Sequence, residues 1–143
     1  MFKKIFNKEK KKNSNYKSIL VAALLIHAAK IDENYTDIEK KIIKKALVNL
    51  NNISSDQAEK LVEYAENVEE KSNQIVEFTR EIKKYPMEFR LKIIEIIWKI
   101  VYSDGTSDSY ESNLIRRVCG LLYVASKDSG IIRTKVQNLL NKK

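Results

Sequence analysis

Residues 85–111 read YPMEFRLKIIEIIWKIVYSDGTSDSYE, and this stretch decides the fold. Phe89, Leu91, Ile93, Ile94, Ile96, Ile97, Trp98, Ile100 and Val101 are all apolar. At 3.6 residues per turn they cover most of a helix circumference, so this helix has almost no wet face and belongs at the centre of a bundle. Pro86 suits its first turn, where a missing amide leaves no hydrogen bond unmade. The helix is predicted to run to about residue 102, and Asp104-Gly105 then reads as a helix-ending turn.

Shifting the chain by 72 residues lays the same plan over an earlier stretch. Asp32 falls on Asp104 and Glu39 on Glu111, while Leu25 meets Ile97, Ala28 meets Ile100, Ile42 meets Leu114, Ile43 meets Ile115 and Ala46 meets Val118. Acids and apolar register coincide together, which indicates a duplicated helical hairpin. In each copy an apolar helix ends near an Asp, and a Glu opens the next helix. The first copy's apolar helix, with Ile19, Leu20, Val21, Leu24, Leu25 and Ile26, pairs naturally with the second's at the core.

Helix starts elsewhere are marked by Ser, Thr or Asp before an apolar periodic run. Thr36 with Glu39, Ser54 with Gln57, and Asp108 with Glu111 have capping-box spacing or its Asp-led analogue, and Ser72 and Ser126 read as plain N-caps. The predicted helices span about 16–31, 37–50, 56–70, 73–84, 86–102, 109–124 and 127–141. The expected fold is all-α, a single bundle of about seven helices over 16–143. Three glycines and one proline in 143 residues are too few for a sandwich or barrel with frequent tight turns, or for a glycine-rich phosphate loop.

Net charge is +8, from 27 Lys and Arg against 19 Asp and Glu, but the excess is local. Without the seven lysines and one glutamate up to Lys17, 20 bases face 18 acids. The high basicity therefore belongs to a tail over 1–15, and a specific nucleic-acid-reading face is not expected. Met1, Phe2, Ile5 and Phe6 would make one greasy stripe among lysines if helical, the pattern of a weak contact with an anionic membrane surface. Only twelve residues lie between Lys17 and Lys30. A helix there covers about 18 Å against a hydrocarbon thickness of about 30 Å, so it does not span. Signal-peptide cleavage after Ala28 or Ala29 would remove a helix that the repeat needs.

The loop acids are the candidate chemistry. Asp32 and Glu39 in the first hairpin, and Asp104, Asp108 and Glu111 in the second, supply oxygen ligands on short segments, which suit Ca²⁺ or Mg²⁺ better than a soft metal. Their spacing is not that of an EF-hand. The same residues also suit helix capping and the helix dipole, so both roles stay open. Catalytic arrangements are not expected. His27 reads as a satisfied, partly buried histidine, Cys119 as a small core residue, and Phe78, Phe89, Trp98 and Tyr102 as packing. Glu59, Glu63, Glu66, Glu69 and Glu70 read as a solvated acidic face. A carboxylate–metal hydrolase would need an open metal position and a general base, neither of which is visible.

The segments AALLIHAAKIDENYTDIEKKII (22–43), FTREIKKYPMEFRLKIIEIIWKIVYSDG (78–105) and SDSYESNLIRRVCGLL (107–122) resemble the TerB-like family associated with tellurite resistance, a fold also found as the N-terminal domain of the membrane-anchored co-chaperone DjlA. The resemblance covers roughly three quarters of the chain, and the YSDG turn is its most specific part. It implies a seven-helix bundle with pseudo-symmetric halves in bacterial cytoplasm, serving as a non-enzymatic accessory or adaptor protein in a stress system. It also implies divalent-metal binding by the loop acids, carried over to Asp32, Glu39, Asp104, Asp108 and Glu111. Glu33 stands where a glycine is usual in the family. The expected partner is an unidentified protein, with a weak membrane-surface contact through 1–15. The alternative is a peripheral-membrane or nucleic-acid-associated module working through the Lys-rich tail, with the acids only as caps.

Overall fold

A computed structural model describes residues 14–30, 35–72, 75–103 and 109–141. Seven helices form, with no strand among the described residues: α1 Ser14–Ala29, α2 Asp37–Asn51, α3 Ser55–Lys71, α4 Val76–Ile82, α5 Met87–Val101, α6 Ser109–Leu121 and α7 Ser126–Asn141. The all-α expectation holds.

Two helices act as hubs, and they are the two that the sequence makes most apolar. α1 packs against α2, α3, α4 and α5, while α5 packs against α1, α2, α6 and α7. Every side chain from Leu20 to Ile26 is 0–1% exposed, because four neighbours surround that helix. The duplicated register carries through to burial at three of its five apolar pairs: Leu25 and Ile97 are both buried, as are Ala28 and Ile100, and Ile43 and Ile115, whereas Ile42 and Ala46 are only partly buried where their counterparts Leu114 and Val118 are buried. The core is completed by Phe78 and Ile82 of α4 and by Val62, Ala65 and Val68 of α3.

Two capping boxes form as the sequence predicts, at Thr36/Glu39 before α2 and Ser54/Gln57 before α3. Pro86 sits one position earlier than expected, as the residue just before α5, where its carbonyl accepts from Phe89 and Arg90. Several boundaries differ from the sequence reading, and three of them have a visible cause. Ser72 does not start α4; its amide closes the end of α3 on Glu69 O, and its hydroxyl donates to Glu77 Oε2 at 2.9 Å. α4 is accordingly shorter than predicted and opens at Ile75 without a side-chain cap.

α7 begins at Ser126 itself, with Ser129 N donating to Ala125 O. α6 ends at Leu121, because Tyr123 adopts φ 57°, in the left-handed region. Val124 N then donates to Cys119 O at 2.8 Å and Tyr123 N to Gly120 O at 3.4 Å, the Schellman arrangement that stops a helix. A glycine normally takes that position. Here Arg90 Nη1 donates to the exposed end carbonyl, Leu122 O, at 2.7 Å, and Lys83 Nζ lies 5.4 Å from the Tyr123 ring centroid. Both contacts support the left-handed residue from outside the helix.

α7 is clamped on α5 by polar contacts at the edge of the core. Trp98 Nε1 donates to Ser129 Oγ at 3.2 Å, and the Tyr102 hydroxyl accepts from Arg133 Nε at 2.6 Å and Gln137 Nε2 at 2.9 Å. No helix among the described residues is long and apolar enough to cross a membrane. Of the tail expected to touch a membrane, 1–15, residues 1–13 lie outside the described residues, and residues 14 and 15 already belong to α1.

Candidate functional site

The site is built where α1 ends, α2 begins and the last turns of α3 pass by. Thr36, with extended φ −86° and ψ 163°, turns its hydroxyl back over the first turn of α2. Glu39 N donates to Thr36 Oγ1 at 3.1 Å, and Glu39 Oε1 accepts from Thr36 N at 2.8 Å and from Thr36 Oγ1 at 3.1 Å. Glu39 is only 5% exposed, so the carboxylate is taken out of water and met by two donors at a helix N-terminus, where negative charge is favoured. The capping role read from the sequence is thus real for Glu39, and the box engages one of its oxygens, Oε1.

α3 contributes two more acids. Glu69, 8% exposed, lies 3.1 Å from His27 Nδ1 through Oε2 and accepts from Lys30 Nζ at 2.9 Å through Oε1. Glu66 Oε2 is 3.1 Å from Lys40 Nζ. His27 is therefore the satisfied, partly buried histidine that the sequence suggests. Glu69 is not part of a solvated face: it follows the buried Ala58, Val62 and Ala65 at helical spacing and turns inward with them. That register was the available signal for it, and the count of acids around it concealed the fact.

Tyr35 completes the group. Its hydroxyl is buried and has no hydrogen-bond partner of acceptable geometry, although the Glu66 carboxylate lies close by. Burial, then Glu66, then the charges of Glu39 and Glu69 push its pKa far above the usual phenol value. A neutral phenol among three carboxylates is what this environment selects, since a fourth negative charge would be repelled by all three.

Of the five residues proposed from sequence as cation ligands, Glu39 alone has a described side chain. Asp32, Asp104 and Asp108 lie outside the described residues, as does the Glu111 side chain, though α6 begins at Ser109 and so carries Glu111 in its first turn. Glu66 and Glu69 do not extend the ligand set, because ammonium and imidazole groups already occupy them. Among the described residues, no group of three or more His, Cys, Asp or Glu side chains is arranged to hold a metal ion. The donors that would complete a site are oxygens, the chemistry of a hard divalent cation.

No curated protein and no solved structure matches the chain. A family match does exist, and it spans both hairpins and both hub helices: residues 18–134 fit the family described as Tellurite resistance protein TerB. With its all-helical fold and most of its length covered, the chain belongs to the TerB family.

Proposed function

We propose that the chain is a non-enzymatic accessory or adaptor protein of the TerB family that holds a divalent cation, Ca²⁺ or Mg²⁺, at its acidic interhelical corners. Asp32 and Glu39 serve the first corner, and Asp104, Asp108 and Glu111 the second. One observation carries this reading: a carboxylate, Glu39, is kept at 5% exposure at the mouth of a helix, in a family match that includes both corners. Surface caps are ordinarily left in water, as at Ser54 and Gln57, both exposed. Glu39 is instead held against the protein at the first turn of α2.

The test is calorimetric titration with Ca²⁺, Mg²⁺ and Mn²⁺ of the intact chain, of Asp32→Asn/Glu39→Gln and of Asp104→Asn/Glu111→Gln. Saturable heat at submillimolar cation, weakened at least about tenfold in the variants, is the expected result. No heat at millimolar cation overturns the cation role. The Thr36–Glu39 box itself favours a second reading, in which the acids are caps only and the Lys-rich tail acts on a membrane surface or on nucleic acid. Co-sedimentation with anionic vesicles, with and without residues 1–15, tests that reading separately.

A further inference from the structure

α2 carries apolar residues on two faces. Ile43 and Leu47 enter the core, whereas Ile38, Ile42, Ala46 and Leu50, four apart along the helix, line an open groove closed on its other sides by α5 and α7. Ile96, Val136 and Leu139 continue the apolar lining, and the groove holds about 790 Å³. From Ile38 to Leu50 the stripe is about 18 Å long, three helical turns. Two of the groove's apolar residues remain strongly exposed, Ile38 at 60% and Leu139 at 46%, so apolar surface is left in water at both ends of the lining sequence.

Charge says what fits. Lys45, Lys92, Lys99 and Lys135 line the groove, with Glu95 as the single acid. Glu95 is already shared by Lys135 at 2.8 Å and Lys99 at 3.4 Å. Lys45 and Lys92 meet no acid among the described residues. A second copy presenting this same groove would set lysine against lysine. A fatty acid brings one carboxylate to a trough that is open along its length and has two unmatched ammonium groups.

We propose that this groove docks an amphipathic helix of a protein partner, its apolar ridge of Leu or Ile lying along the α2 stripe and its flanking Asp or Glu facing Lys45 and Lys92. The stripe starts at Ile38, next to the Thr36–Glu39 box, but neither Thr36 nor Glu39 lines the groove, and the proposal stands independently of the cation reading while giving the adaptor role a partner chemistry.

The probe is a fluorescein-labelled designed helix of about 18 residues with leucines at i, i+4 and i+7 spacing and glutamates on both flanks. Its two controls are a shuffled version and one with lysine in place of glutamate. Fluorescence anisotropy with the full chain should show saturable binding of the acidic helix only, falling as salt rises. Lys45→Glu/Lys92→Glu should weaken it about tenfold or more, since two attractions become repulsions. Ala46→Phe, which fills the groove, should abolish it. Circular dichroism checks that both variants stay folded, and the exposed lysine pair has no reason to unfold the chain.

Equal binding of the lysine or shuffled helix overturns the proposal, as does affinity within about twofold of wild type in the double variant, or no saturation at millimolar protein. A concentration-dependent dimer in sedimentation that the acidic helix cannot dissociate, or displacement of the helix by a fatty acid at stoichiometric amounts, would also overturn it by giving the groove to another occupant. Failure here leaves the calorimetric cation test untouched, and the reverse holds as well.

Discussion

Replacing Thr36 by Ala removes both halves of the hydroxyl's work at once: the bond accepted from Glu39 N and the bond donated to Glu39 Oε1. The first is worth about 1 kcal/mol, the usual N-cap loss. The second is a bond to a charged group in a buried setting, and its loss adds about 1 kcal/mol. The total of about 2 kcal/mol should lower the melting temperature by roughly 7 °C in a domain of this size. Thr36→Ser keeps the oxygen and should stay within about 0.5 kcal/mol of wild type.

Glu39→Gln keeps an acceptor for Thr36 N and Thr36 Oγ1 and gives up the charge–dipole interaction, about 0.5 kcal/mol. Its net effect should therefore be smaller than that of Thr36→Ala. Urea unfolding followed at 222 nm at about pH 7 gives the comparison directly, with an unchanged m-value as the sign of an intact native state. If Thr36→Ala loses under about 0.5 kcal/mol, or if Glu39→Gln loses more than Thr36→Ala, the capping account of this corner is wrong. A Glu39→Gln variant of near-normal stability is also the proper protein for the cation titration, because a loss of affinity there cannot be ascribed to unfolding.

Tyr35→Phe removes a buried hydroxyl that has no partner and should raise stability by about 0.5–1 kcal/mol at neutral pH; a loss of that size would show that the hydroxyl is satisfied. Burial and nearby acids raise the folded pKa of Tyr35, and burial and Glu81 do the same for Tyr85, so the folded state holds protons that the unfolded state releases. The contribution of these two tyrosines should be undiminished below about pH 10 and decline above it, with a shallower decline in Tyr35→Phe, as read from pH-dependent urea midpoints. Ser129→Ala leaves Trp98 Nε1 without its acceptor in a buried position and should cost about 1–2 kcal/mol with a shift in tryptophan emission. Gly130 lies inside α7 with nothing within 4 Å of an added Cβ, so Gly130→Ala should stabilise by about 0.5–1 kcal/mol in the same unfolding assay.

What the sequence made legible were features decided by local chemistry. A helix that is apolar almost all round, such as 89–101, has to be central, and a Thr followed three residues later by Glu at an apolar boundary has to cap. Ser72 was misread because a hydroxyl before a periodic run looks the same whether it opens the next helix or closes the previous one. The end of α6 was placed late because Tyr123 holds a conformation usually left to glycine, and the contacts that support it, from Arg90 and Lys83, come from elsewhere in the chain. Glu69 is hidden in a row of five acids of which Glu59, Glu63 and Glu70 face outward and Glu66 is half-buried; its phase with Ala58, Val62 and Ala65 sets it apart. The four remaining loop acids stand beyond the described structure or have side chains there, so their chemistry rests on residue type and family. The groove was present in the sequence as the 38, 42, 46, 50 stripe, but telling a second apolar face from a core face requires knowing which neighbours stop short of it.

The burial of α1 on all sides has a bearing on synthesis. This helix precedes every partner that covers it, and α5, the last of them, ends at Val101. At ordinary translation rates the ribosome needs about 4 to 15 seconds to add the intervening chain. Until then α2, α3 and α4 cover only part of the helix, and some of Ile19–Ile26 stays greasy nascent surface. Closure of the core around this helix waits for the arrival of its second hub.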